Sequence, residues 1–286
     1  MRQIFLRGTN AVHPIPLSTY LLVTFGGAWL IWLPLLFAEY AGLTLPVPPI
    51  VLIVLGSVTP SLAALFLTWR YAGASGLREL LGRAFAWRVS PGWYLLAIFG
   101  PALIMLLAMG GHILLGGAAP DYPPFDVRWL LVPVNFFLVL LIGGPLGEEF
   151  GWRGLALPAL EARFGPPWAS LLLGIIWTAW HLPLFFISAS AQHGLPFWLF
   201  GLLTAALCIL LTWVYHGSGD SLLLVMLLHA AVNTWSGPLR ISPEVAGSIR
   251  PFALVVLLTW VVSLLIAARS RWFEQGGFVF SKRKQL

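Results

Sequence analysis

The chain has 286 residues, 59% of them hydrophobic and only 9% charged, with a mean hydropathy of +0.89 and a formal net charge of +6. An ordinary soluble domain is about one-quarter charged, so this composition cannot cover a water-facing surface and excludes a soluble globular fold. The basic residues flank apolar runs, which argues for membrane orientation and against nucleic-acid binding, and the single Cys208 excludes an intrachain disulfide or a cysteine metal cluster.

The predicted elements are helices, the open-chain way to satisfy backbone groups in lipid, and no strand-like alternation competes with them. Eight runs are long enough to span, or nearly so: about 17–38, 48–69, 92–116, 128–147, 167–188, 196–215, 220–236 and 250–268. The first is too long for a signal-peptide core and no A-x-A-like site follows it, so it reads as a retained span. After the second comes "GLRELLGRAFAWR" (76–88), whose basic and apolar faces fit either a helix lying along the membrane surface or an ordinary positive loop. The third run holds His112 near its outer end, and the loop "APDYPPFDVR" that follows carries Asp121 and Asp126 as solvated charges.

The fourth run, "WLLVPVNFFLVLLIGGPL", leads directly into "GEEFGWRG" (147–154). The fifth, "LLLGIIWTAWHLPLFF", carries His181; the sixth closes on His216; the seventh, "LLLVMLLHAAVNTW", carries His229 and Asn233. Trp32, Trp93, Trp129, Trp168, Trp198 and Trp272 lie near span ends and fit an interfacial aromatic belt. No internal repeat or low-complexity linker interrupts the chain. The expected organisation is one all-α polytopic membrane domain over 1–286, with the chemistry held in 128–236.

Basic residues set the orientation. Arg2, Arg7, Arg70, Arg78, Arg83, Arg88, Arg163, Arg269, Arg271, Lys282, Arg283 and Lys284 fall on one side, and Arg128, Arg240 and Arg250 on the other. With Arg153 set aside as intramembrane, this bias and the even number of spans place both termini in the cytoplasm.

Spacing relates the polar groups to one another. Glu149 and Arg153 are four apart and pair on one helix face, whereas Glu148 points about 100° away, free to face a cavity. His229 and Asn233 also share a face, and Trp177 stands one turn before His181 as a wall for its imidazole. About the turn "FGPP", Glu148 and His181 sit at similar heights, roughly 24–26 Å away at 1.5 Å per residue. For that to hold, helix four must run past its apolar stretch with "EEFGWRGLALPALEAR" partly inside the protein. Gly143, Gly144 and Pro145 loosen the helix before the acidic pair, and Pro183 frees a carbonyl near His181. A charged group at the centre of a span costs roughly 2.5–3.5 kcal/mol, so several of them are not retained idly. Singly, each has a bland explanation: a headgroup-level carboxylate pair, a satisfied interior histidine, interhelical hydrogen-bond glue. Three on three spans, placed to converge, weaken those explanations together. His112 and His216 read as structural.

In that order, "EEFGWR" fits E-E-x-x-x-R, "WTAWH" fits aromatic-x-x-x-His and "HAAVN" fits H-x-x-x-N. The ordered triple resembles the CPBP family of intramembrane proteases, the CAAX-processing and bacteriocin-processing enzymes also called the Abi family. The resemblance implies about eight transmembrane helices around a conical intramembrane cavity, in the plasma membrane of a prokaryote. It also implies endopeptidase activity on CAAX-type tails, bacteriocin leaders, signalling peptides or a membrane-anchored protein. It carries Glu148 over as general base, His181 as its water-activating partner, His229 with Asn233 as oxyanion stabiliser, and Glu149 with Arg153 as support. One departure is Trp177, where the family motif usually has Phe.

The chemistry agrees. A desolvated carboxylate is a competent base near neutral pH, and an amide and an imidazole one turn apart can donate to one oxyanion. A divalent metal such as Zn2+ is the other option, with Glu148, His181 and His229 as candidate ligands, although H-E-x-x-H is absent. Two further readings belong to other classes: a non-catalytic membrane scaffold or immunity factor of the Abi type, and a proton-coupled transporter. Against the transporter, the halves do not repeat and no matched pair of broken helices occurs.

Overall fold

The computed structural model describes residues 15–120 and 127–269. Among these the chain is helical throughout, with no strand. In chain order the helices are α1 (Leu17–Ala41), α2 (Pro49–Ser57), α3 (Thr59–Ala84), α4 (Pro91–Leu114), α5 (Val127–Ile142) and α6 (Pro145–Gly151). After a π-helical turn, Trp152–Ala156, come α7 (Leu157–Phe164), α8 (Pro166–Trp180), a 3-10 turn at Leu182–Phe186, α9 (Phe197–Gly217), α10 (Leu222–Ser236), the short α11 (Pro243–Ala246) and α12 (Arg250–Arg269). Proline opens α2, α3, α4, α6 and α8 near their first turns, where its missing N–H has no helical partner to lose.

Lipid is written on the outside of the molecule. Leu22, Leu30, Phe37, Leu103, Leu130 and Leu264 are exposed, whereas Glu149, Arg153, Thr24, Ser170 and Thr212 are buried. An apolar surface over a core containing paired charges is the arrangement a bilayer favours. The chain is a polytopic integral membrane protein.

The eight expected runs each map onto helix, but the count of spans differs. Six described helices are long and apolar enough to cross a membrane, or seven when α5 and the helix that follows it count as one span bent by 42°. The fourth run extends past 128–147, in line with the loosened helix expected there. It breaks at Gly143–Gly144, where Gly144 takes φ 115, and continues through α6 to Phe164. The seventh run forms only the 15-residue α10, about 22 Å long and short of a roughly 30 Å hydrocarbon core. It need not span lipid, because α3, α4, α5, α6 and α9 all pack against it.

Within the 76–88 segment, residues 76–84 are helix and 85–88 are a turn and irregular chain. The axis of α3 breaks at Gly73 (φ 66, ψ −167), and the second half buries Leu80 while Arg78 faces outward. Arg83 donates to the Tyr215 hydroxyl at 2.9 Å and pairs with Glu79 at 3.1 Å. Of the expected aromatic belt, Trp129, Trp168 and Trp198 are exposed. Trp32 is not part of it: fully buried, it packs on Trp180 with ring centroids 5.0 Å apart and donates to the Ile53 carbonyl. Trp272, the solvated Asp121 and Asp126, and the basic residues of both termini lie outside the described residues.

α8 and α9 approach each other closely. A Cβ on Gly174 would lie 2.6 Å from the Cα of Ala205. On either side, Ser170 donates to Thr212 Oγ1 at 2.8 Å, and the Thr178 and Thr204 hydroxyls meet. Small residues flanked by hydroxyl pairs are how helices associate where no hydrophobic effect separates them from lipid. Gly174→Val therefore costs about 1–3 kcal/mol by forcing the backbones apart. Gly110→Ala, where an added Cβ meets nothing within 4 Å, serves as the neutral control. Thermal unfolding of the purified protein in detergent measures both.

Candidate active site

The break at Gly143–Gly144 restarts the helix as α6, placing Glu148 and Glu149 in its interior-facing turns instead of at a headgroup-level end. Both are buried, at 4% and 0% exposure, and Arg153 is at 0%. The expected i, i+4 pair is present: Arg153 Nη1 donates to Glu149 Oε1 at 2.9 Å and Oε2 at 3.0 Å. Its other terminal nitrogen lies 3.1 Å from Cys208 Sγ, and its guanidinium sits over the Trp177 ring at 4.9 Å.

Glu149 does more than pair with arginine. Its Oε1 lies 2.7 Å from Nδ1 of His229, which is 80 residues further along the chain on α10. A carboxylate already ion-paired to arginine accepts, so Nδ1 donates and the Nε2 edge of His229 is turned away from Glu149.

Glu148 is not free to swing into a cavity. Its Oε2 accepts from Trp177 Nε1 at 2.6 Å and from Trp152 Nε1 at 3.2 Å. Its Oε1 stands beside Gly144, where a Cβ would come within 2.5 Å of it. His181 ends α8, and Nδ1 lies 2.8 Å from the Trp177 carbonyl, which can only accept. The proton is therefore on Nδ1, and Nε2 is left as an acceptor. The ring is edge-packed against Trp177, Trp180 and Phe200 at centroid distances of 5.6, 4.7 and 5.1 Å.

Trp177 joins these groups. One indole donates to Glu148, lies edge-to-face on His229 at 5.1 Å, contacts His181 and underlies the guanidinium of Arg153. The carboxylate and both imidazoles thus meet around a single side chain. Asn233 sits one turn beyond His229. It is exposed, and its Nδ2 lies 3.5 Å from the Gly143 carbonyl, itself at an exposed residue. Glu148, His181 and His229 are at most 5% exposed, whereas Asn233 is exposed.

His112 and His216 stand apart from these contacts. His216 Nε2 meets Glu161 Oε1 at 2.7 Å and Nδ1 meets Asp220 at 3.2 Å. His112 is buried under Gly117. The sequence reading missed Trp152 and Cys208. Trp152 had a usable signal, since it follows Glu148 by the same four residues that separate Glu149 from Arg153; Cys208, 55 residues from Arg153, had none.

The candidate donors for a metal ion are Glu148, His181 and His229. No group of three or more His, Cys, Asp or Glu side chains among the described residues is placed to hold one ion. The Nδ1 atoms of His181 and His229 and one oxygen of Glu148 are hydrogen-bonded within the protein, which leaves Nε2 of each imidazole and Oε1 of Glu148 as the remaining donor atoms.

The site therefore sets an acidic pair, two histidines and an asparagine, from three helical elements, within a polytopic helical bundle. Residues 129–235 match the family model described as Type II CAAX prenyl endopeptidase Rce1-like. The chain is also 30% identical over 189 residues to the CAAX prenyl protease 2 of Methanococcus maripaludis, covering 62% of this chain and 66% of that protein's length. It belongs to the CPBP family, the CAAX proteases.

Replacing Arg153 by Met leaves the Glu149 carboxylate without its guanidinium in a site of zero exposure. Loss of one partner of a buried ion pair costs about 3–5 kcal/mol. Thermal or denaturant unfolding in detergent is expected to show that loss; stability within 1 kcal/mol of wild type, roughly the worth of a surface pair, would contradict the assigned burial.

Proposed function

We propose that the protein is an intramembrane endopeptidase that hydrolyses a peptide bond with a water activated by Glu148, without a metal. The observation that carries this reading is the convergence of Glu148, His181 and His229 on one indole, with hydrogen bonds that leave an acceptor edge or a donor edge on each.

Glu148 Oε1 takes a proton from water while Nε2 of His181, held as an acceptor, receives the second hydrogen of the same molecule. The oxygen so activated bonds to the scissile carbonyl carbon and the carbonyl electrons move to its oxygen. His229 and Asn233 stabilise that oxyanion. With Nδ1 engaged by Glu149, this proposed role of His229 uses an Nε2–H donor. The intermediate collapses with cleavage of the C–N bond, and the proton on Glu148 passes to the departing amine.

The substrate class that the family supports is a membrane-anchored peptide, and the name of the Methanococcus relative points to prenylated CAAX tails. The positive charge of Arg70, Arg78 and Arg83 on α3 and of Arg88 just after it supports a cytoplasmic position for the turn between α3 and α4. The scaffold and transporter readings gain no specific observation.

With a quenched fluorogenic farnesylated CAAX peptide in detergent or proteoliposomes, the wild type is expected to cleave and Glu148→Gln to lose at least about a hundredfold in kcat, the lower end of general-base contributions. The variant is isosteric and is expected to unfold at the wild-type temperature. Cleavage by Glu148→Gln at the wild-type rate would end the glutamate mechanism. Activity lost on chelation and restored by Zn2+ would overturn its metal-free form.

A further inference from the structure

We propose that the indoles of Trp152 and Trp177 are positioning residues that clamp one oxygen of Glu148, leaving Oε1 as the only carboxylate oxygen that exchanges protons with the attacking water. The inference rests on the reading of Glu148 as the base.

Both indoles donate to the same atom: Trp177 Nε1 lies 2.6 Å and Trp152 Nε1 3.2 Å from Oε2. An indole N–H is a donor only. Oε2 therefore faces two hydrogens that can never accept a proton from it, and a hydroxyl at that position would point hydrogen against hydrogen. When the carboxylate takes up a proton, the proton goes on Oε1. A carboxylate in water is symmetric and its terminal torsion is soft; two donors on one oxygen remove that symmetry.

The clamp is rigid because its jaws come from different elements and neither can turn. Trp152 opens the π-helical turn and is fully buried, edge-packed against Tyr20 at 5.9 Å and Trp180 at 5.7 Å. Trp177, on α8, is held between His181 and His229. The opposite oxygen has room for the reverse reason. Gly144, at φ 115, presents no Cβ, and one would lie 2.5 Å from Oε1. The open side of the carboxylate thus faces the Gly143–Gly144 break, the backbone toward which Asn233 reaches. Phenylalanine, usual at position 177 in the family motif, would keep the ring but not the N–H. The clamp is therefore a property of this chain's tryptophans.

The test uses full-length protein in detergent and the variants Trp177→Phe and Trp152→Phe, each alone and combined with Glu148→Ala. Ultraviolet resonance Raman difference spectra, wild type minus Trp177→Phe, isolate the Trp177 indole. A strongly hydrogen-bonded N–H signature is expected, and it should weaken when residue 148 is Ala. A signature indifferent to Glu148→Ala overturns the clamp, whatever substrate the enzyme takes. On the farnesylated peptide, each Phe variant is expected to lower kcat about tenfold or more with KM within about twofold, on protein still folded at the assay temperature. A purely structural tryptophan would instead lower the unfolding temperature and leave kcat of the folded protein unchanged. A kcat within twofold of wild type overturns the positioning role while leaving Glu148 as base. If Trp177→Phe does not fold, Trp152→Phe carries the same two readouts. Cleavage retained by Glu148→Gln would sink the underlying mechanism instead, and a wild type inert on the peptide would sink the substrate class alone, with the indole spectra still deciding the clamp.

Discussion

Glu149 has no exposed surface, and the architecture around it follows from neutralising a carboxylate where water cannot reach. Arg153, one turn on, gives two hydrogen bonds, and His229 adds a third from α10. Removing any partner would leave charge stranded in a low-dielectric interior, so α6, the π-helical turn and α10 are tied into one arrangement. Through that tie the short α10, packed against five other helices, brings His229 to the acidic pair. It also fixes which edge of the imidazole is left for chemistry.

Around this ion pair the protein uses aromatic rings where a soluble enzyme would use water. Trp177 is a donor to Glu148, an edge partner for two imidazoles and a face for the guanidinium. Trp152 and Trp180 extend the same stack towards Tyr20 and Trp32. Such rings exclude solvent and supply few hydrogen-bonding atoms, each aimed at one acceptor. The buried polar groups are oriented because their surroundings offer so few alternatives.

Irregular backbone surrounds the candidate site: the glycine break before α6, the π-helical turn after it, and the 3-10 turn that follows His181. In contact with lipid each would expose unsatisfied peptide groups. Inside the bundle they are tolerated, and each redirects a helix at the position where a side chain must be aimed.

The sequence by itself determined the solvent, the helical class and the local pairings. A composition this apolar has no other home than the bilayer, and the four-residue steps from Glu149 to Arg153 and from His229 to Asn233 are set by helix pitch alone. The glycines and proline before the acidic pair announced the loosened helix, though not its 42° bend. Tertiary structure decided everything that depends on two distant segments meeting. It turned Trp32 from an interfacial anchor into a buried core ring, and joined Glu149 to His229 across 80 residues. It also closed two indoles on Glu148, where the pattern of residues left an unencumbered carboxylate. Helix periodicity states which side chains share a face; only the packing of helices, through close contacts such as Gly174 on Ala205, decides what that face meets.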